Sequence, residues 1–328
     1  MQFTTEVRID TNVLDVNHSH SILLMGSCFV EHIGEKLKGA KFNALINPYG
    51  VLYNPMSIVT SLKEMLNNTP YNLSSLFFYQ GLWHSAMHHS VFSGASKEKV
   101  LENINDALNE AHLFLKQTDY LVVTLGSSWV YFDKTHHQIV GNCHKQPEHL
   151  FNRQLVEVDE IVNEWNKVIE LLLAVNPNLK ILFTVSPIRH VRDGLHGNQL
   201  SKSTLLLSIH KLQEQRKNTV YYFPAYEIML DELRDYRFYA DDMCHPSGLA
   251  VDYIWEKFIH FAISVQSQDL IKECEKIKKA LNHRPFNPES EKHQEVLKNL
   301  LEKIEALSKR YPNLAFNKEI ELCHTQLI

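Results

Sequence analysis

Ser27 stands in the turn Gly26-Ser27-Cys28, between the short apolar run Ser21 to Met25 and a stretch in which Phe29, Ile33 and Leu37 recur every fourth residue. That change of period predicts a strand followed by an amphipathic helix, with Ser27 near the helix N-terminus. A serine hydroxyl placed there can attack a carbonyl if a general base removes its proton, and the helix N-terminal amides can help stabilise the resulting oxyanion. Asp242 and His245, three residues apart before Pro246-Ser247-Gly248, supply a base and an acid to orient it. If they face Ser27, His245 takes the hydroxyl proton while Asp242 fixes the imidazole tautomer. The competing account makes Ser27 a helix cap and Asp242 with His245 an ordinary surface contact.

Other residues offer different chemistry. Cys28 is a rival nucleophile because a helix start can lower a thiol pKa, but two residues one apart cannot share one geometry. Small apolar packing is the plainer expectation for it. His84, beside Trp83 and followed by His88 and His89, could line an aromatic pocket, and Arg189 with His190 could bind an anionic substituent. For these, hydrogen bonding within the fold is the plainer expectation. Cys28 and His32, Cys143 and His144, and Cys244 and His245 carry zinc-binding atoms, yet no paired-cysteine spacing unites them, so no metal is expected. Neither a P-loop nor a dinucleotide fingerprint is present, and no cofactor is expected.

The elements that must position these residues follow from periodicity. Residues 21–25, 42–46, 120–125, 180–185 and 220–223 read as core strands. Helices are expected over 56–67 and 98–116, and around Ile161 to Leu172, Leu205 to Leu212 and Leu249 to Phe258. Residues 70–95 read as short strands or loops, and Ile188 to Lys202 as a polar connection. Strands alternating with long helices favour an α/β fold, a three-layer sandwich with a mostly parallel central sheet, whose strand order the periodicities leave open. The boundary falls near residue 265. Residues 1–265 form the α/β domain, and 266–328 a helical C-terminal extension packed on it, beginning with the charged stretch Lys272 to Lys279. The extension continues through the connector His283 to Pro288 to a helix with Val296, Leu300, Ile304 and Leu307 on one face.

Composition narrows the partners. With 328 residues, 44% of them hydrophobic, the chain can bury a substantial core without staples. Lys and Arg total 33 against 38 Asp and Glu, a formal net charge of -5, which argues against a nucleic-acid surface. No apolar run approaches the roughly 20 residues that span a bilayer, so no integral membrane association is expected. The opening MQFTTEVRID lacks a basic and apolar leader, and five scattered cysteines form no disulfide framework; a cytoplasmic chain with free thiols is the expectation.

Gly26-Ser27-Cys28-Phe29 resembles the signature of the GSCFA family, itself similar to the broader SGNH or GDSL esterases and lipases; Val30 follows where the family has alanine. The resemblance extends through Asn47-Pro48-Tyr49-Gly50, Trp83-His84-Ser85, Thr124-Leu125-Gly126-Ser127, Ser186-Pro187-Ile188-Arg189-His190 and Ala240-Asp-Asp-Met-Cys-His-Pro246, roughly residues 1–260. It implies an SGNH-like sandwich with Ser27 as nucleophile, His245 as base and Asp242 as its orienting partner. By the same resemblance Ser27, Gly50 and Gly126 would supply oxyanion donors. Ser127-Ser128-Trp129 departs from the usual Gly-x-Asn-Asp, and Gly26 stands where the GDSL pattern has aspartate. The implied activity is a metal-independent esterase acting on O-acyl groups of a carbohydrate or small molecule. O-acyl transfer through the same acyl-serine and a noncatalytic binding or assembly role are the alternatives.

Overall fold

The computed structural model describes residues 5–283 and 285–327. The first four residues of the leader reading and Arg284 of the expected connector lie outside the described residues. In chain order the elements are β1 (Ser21–Gly26), α1 (Cys28–Gly39), β2 (Asn43–Ile46), α2 (Pro55–Asn67), β3 (Leu76–Tyr79), β4 (Leu82–Ser85), α3 (Lys97–Lys116) and β5 (Tyr120–Leu125). There follow β6 (Trp129–Asp133), β7 (Gln138–Val140), β8 (Phe151–Leu155), α4 (Val158–Val175), β9 (Lys180–Val185), α5 (Gly194–Gln215), β10 (Val220–Tyr222) and the short α6 (Ala225–Glu227). Four more helices complete the chain: α7 (Gly248–Ala262), α8 (Val265–Leu281), α9 (Glu291–Arg310) and α10 (Asn317–Gln326).

Five strands form one parallel sheet in the order β10-β9-β5-β1-β2. They are the strands expected from continuous apolar runs, which is how a strand covered on both faces reads. Alternation along β1 divides its side chains between two cores. Leu23 and Met25 pack with residues of α2, α4 and α5, whereas Ile22 and Leu24 pack with residues of α1 and α7. β5 divides likewise, with Leu121, Val123 and Leu125 in the first core and Tyr120 and Val122 in the second. Helices therefore cover both faces, and the expected α/β class with its parallel sheet is what the chain adopts. Trp165 of α4, fully buried, meets Phe183 of β9 edge-on at 4.7 Å and fills the centre of the first core.

Two features depart from the sequence expectations. Residues 129–155, to which periodicity assigned no element, form a small antiparallel sheet in the order β7-β6-β8. The polar connection expected over 188–202 is helical from Gly194 onward. The described C-terminal helices have their own small core, in which Leu270, Cys274 and Ile277 of α8 meet Leu300 and Ile304 of α9 and Cys323 of α10. Lys41, just after α1, ties that group to the sheet domain through a 2.6 Å ion pair with Glu319 and a face-on approach to Phe316 at 5.3 Å. None of the described helices is long and apolar enough to cross a membrane.

The sheet fixes where chemistry can occur. In chain order β1 leads to β2 on one side and then to β5 on the other, so the crevice of this open sheet lies beyond the carboxyl ends of β1 and β5. Gly26 ends β1 at φ +136°, and a Cβ there would sit 2.1 Å from the Thr124 carbonyl oxygen. Glycine alone lets the two strands close at this point. Gly26→Ala should therefore destabilise the fold by about 3 kcal/mol or more, from backbone strain and overpacking together. Urea unfolding at neutral pH checks it.

Candidate active site

Ser27 is the N-cap residue of α1, yet its side chain makes no capping hydrogen bond. Ser96 and Ser247 hold the same position on α3 and α7, and each accepts a hydrogen bond from an amide three residues on. Ser27 Oγ is instead buried with no partner among the described residues. An unpaired buried hydroxyl costs about 1–3 kcal/mol, which calls for an explanation other than packing. The turn around it is rigid. Ser27 N–H donates to Thr124 O at 3.0 Å, and Gly26 N–H to the Asn47 side-chain carbonyl at 2.9 Å. Asn47 Nδ2 in turn reaches Glu31 Oε1 at 3.2 Å.

Asp242 and His245 form the expected pair. Asp242 accepts the amides of Cys244 and His245 on one oxygen and meets His245 Nδ1 at 2.5 Å with the other. Those amide bonds, with the imidazole, hold the Asp242 carboxyl down at about 2, so it is ionised throughout the neutral range. The pair lies on an exposed loop, and His245 makes no hydrogen bond to Ser27 in this structure. Asp242 and His245 are thus preassembled as a pair that Ser27 does not join by a hydrogen bond.

Arg189 is engaged within the fold. Its N–H donates to Cys244 O at 3.1 Å, its guanidinium donates to Met243 O, and that guanidinium lies 4.2 Å from the centre of the Tyr239 ring. It clamps the loop that carries His245. His190 is anchored by its main-chain N–H, 2.9 Å from Asn198 Oδ1, and its ring stands edge-on to Tyr53 at 5.8 Å. His84 engages both ring nitrogens within the β3–β4 hairpin and its flank, 2.7 Å from Ser93 Oγ and 3.1 Å from Tyr79 O. It is His89 that packs against Gly50: a Cβ on that glycine would fall 2.3 Å from the His89 Cβ.

The three expected oxyanion donors are already occupied. Besides Ser27, the Gly50 N–H donates to Asn47 O at 2.7 Å and the Gly126 N–H to Tyr53 O at 2.8 Å. Each closes a turn at the sheet edge in the resting fold. Cys28 does not have the environment of a reactive thiol. Burial, reinforced by Glu31, pushes its pKa up against the opposing pull of its own amide and that of Phe29. All five cysteines are unpaired. Among the described residues no group of three or more His, Cys, Asp and Glu side chains converges in a metal-binding arrangement, and the zinc-donor pairs stay separate.

Lys202 is the buried charge at this edge that periodicity missed. It is 1% exposed on α5, and its Nζ donates 2.8 Å hydrogen bonds to Gly126 O and to Ser186 O, just past the ends of β5 and β9. Nearby, Ser201 Oγ accepts the Ser128 N–H at 2.8 Å. A lysine in a polar stretch carries no sequence signal of burial; only the helical phase with Leu205, Ile209 and Leu212 points it inward.

Burial lowers the Lys202 pKa from its ordinary 10.5 to about 7. The unfolded chain holds this proton more tightly than the folded one, so stability rises with pH between about 7 and 10.5 and is lost as pH falls back towards 7. Lys202→Met removes that dependence. Urea titrations at pH 7 and about 9.5 should therefore show the wild type gaining on the variant at the higher pH. A stability difference that ignores pH would mean that Lys202 titrates normally.

A family profile described as "GSCFA family" matches residues 21–258, and one described as "GSCFA domain protein, C-terminal domain" matches residues 274–328. No curated protein matches the chain. Among solved structures it is similar to a carbohydrate esterase family 3 protein from Talaromyces cellulolyticus, at 11% identity and a TM-score of 0.36, over 77% of this chain and 99% of that one. A likeness at that level carries no chemistry across.

Proposed function

This chain belongs to the GSCFA family, and from that premise we propose that it is a serine-dependent, metal-independent esterase acting on O-acyl groups of a carbohydrate or small molecule. The observation that carries the reading is Ser27 Oγ, buried and unpartnered at the carboxyl end of β1 although its position invites it to cap α1. A hydroxyl withheld from capping, in the crevice of a parallel sheet, supports a role in chemistry once a substrate opens the site to it.

Ser27 Oγ attacks the acyl carbon as His245 takes its proton. His245 then gives that proton to the departing alcohol oxygen, leaving an acyl-Ser27. Water, deprotonated by the same imidazole, releases the acid. Asp242, ionised and bonded to Nδ1, keeps Nε2 as the working nitrogen. The resting separation of serine and base closes in the substrate complex, where catalytic hydrogen bonds commonly tighten. Transfer of the acyl group to a second alcohol would follow the same first half.

Ser27→Ala should abolish the acyl adduct seen by intact-protein mass spectrometry during turnover of a short-chain ester without added metal, and should lower kcat by about 10⁴-fold or more. His245→Ala should do comparable damage, and Asp242→Asn should keep residual turnover. Near-UV circular dichroism establishes that each variant is folded. Wild-type turnover by folded Ser27→Ala overturns the assignment, selective loss in Cys28→Ala moves it to the thiol, and acyl transfer with little hydrolysis identifies a transferase.

A further inference from the structure

Attack on a carbonyl builds negative charge on oxygen, and the site needs an uncommitted donor aimed at the place where that charge forms. The amides of Ser27, Gly50 and Gly126 are engaged by Thr124, Asn47 and Tyr53. The next residues are engaged as well, since Ser128 N–H donates to Ser201 Oγ and Ser127 Oγ lies 3.2 Å from that same oxygen. At this edge the side-chain donors Thr124 Oγ1, Arg189 Nε and His190 Nε2 are buried with no partner among the described residues, and of these His190 Nε2 is the one set against Gly126. It lies 3.3 Å from the point a Cβ on Gly126 would occupy, so glycine at 126 is what admits the ring nitrogen to the strand end. β5 pairs with β1 so that Thr124 is opposite Gly26; Ser27, one residue on, and Gly126, two residues on, both stand just past the same end of the sheet.

We propose that His190 is the oxyanion donor of the Ser27 site, giving a hydrogen bond from Nε2 to the substrate carbonyl oxygen as Ser27 Oγ adds to the carbonyl carbon. The inference rests on the esterase reading. The Oγ–C bond forms, the carbonyl π pair moves to oxygen and the Oγ proton passes to His245. On collapse the pair returns, the bond to the leaving alcohol breaks, and that oxygen takes the proton from His245. His190 keeps its own proton throughout. Its charge state suits this role, because burial, reinforced by Lys202 and His245, lowers the ring pKa to about 4 against the weaker opposing pull of Asp193. A neutral imidazole is an established electrophilic partner for a carbonyl oxygen in other enzymes. The anchored amide and the Tyr53 contact fix its direction before substrate arrives.

The test uses the full chain, ¹⁵N-labelled at histidine, before and after reaction with a small fluorophosphonate that leaves a tetrahedral, oxygen-bearing group on the nucleophile. The His190 Nε2–H signal, assigned by its loss in His190→Gln, should move downfield once Ser27 is phosphonylated. His190→Phe, which keeps an aromatic ring against Tyr53, should lower kcat for 4-nitrophenyl acetate by about 10²–10³-fold with KM changed less than about threefold. His190→Gln should recover part of that loss. An unshifted His190 signal, or a folded Phe variant with kcat within about twofold of wild type while the probe still maps to Ser27, overturns the oxyanion role and leaves the esterase reading standing. A probe that never maps to Ser27, together with wild-type turnover by Ser27→Ala, overturns both.

Discussion

One buried ammonium group holds the working edge of the sheet together. Parallel strands end in carbonyls with no ladder partner, and each such group left unmet in a dry environment costs about 1–3 kcal/mol. Lys202 satisfies two of them at once, on Gly126 and Ser186, and so fixes the spacing between the ends of β5 and β9. Desolvation of the charge opposes this arrangement and is expressed in the lowered pKa. The compensation is positional. Gly126 and the Ser186-to-His190 segment, which carry the site, are tied to one rigid helix.

That helix explains what the sequence could and could not disclose. The strands were legible because each is a continuous apolar run, and helix α4 was legible because Ile161, Trp165, Val168 and Leu172 keep an apolar period. α5 buries a stripe at the same period, but its first half is Asn198, Ser201 and Lys202, and only its second half is Leu205, Ile209 and Leu212. Reading burial from hydrophobicity stops where a buried face has to be polar. The polar half faces the strand ends because their carbonyls and amides need partners there. Its invisibility and its importance share one cause. Asp242 with His245 was legible for the opposite reason: a contact spanning three residues is set by local sequence, whereas Lys202 and Tyr53 reach the site only through the strand order.

The turn at Ser27 shows how much structure is committed to leaving one hydroxyl free. Gly26 takes a conformation closed to other residues, Asn47 braces it with a side-chain carbonyl, and Asn47 also accepts the Gly50 amide from the neighbouring turn. The Gly26 and Ser27 amides are met by Asn47 Oδ1 and Thr124 O, and the Val30 amide by Ser27 O, without the serine side chain. Occupied amides and an idle hydroxyl are therefore two sides of one arrangement. The glycine amides at 50 and 126 are engaged in the resting fold, and in the proposed site the oxyanion is met by His190.

The two halves of the proposed machinery stand on different foundations. Ser27, Gly126 and His190 are fixed to strand ends and to α5, whereas Asp242 and His245 sit on an exposed loop held by Arg189 through Met243, Cys244 and Tyr239. Because Asp242 binds both the amide and the ring of His245, the loop carries its acid and base as one preset unit. Its orientation is internal and survives a shift of the loop. Arg189 sets where that unit rests, through its main-chain amide and its guanidinium. In the proposed mechanism Ser27, with no acceptor at rest, keeps its proton until His245 takes it.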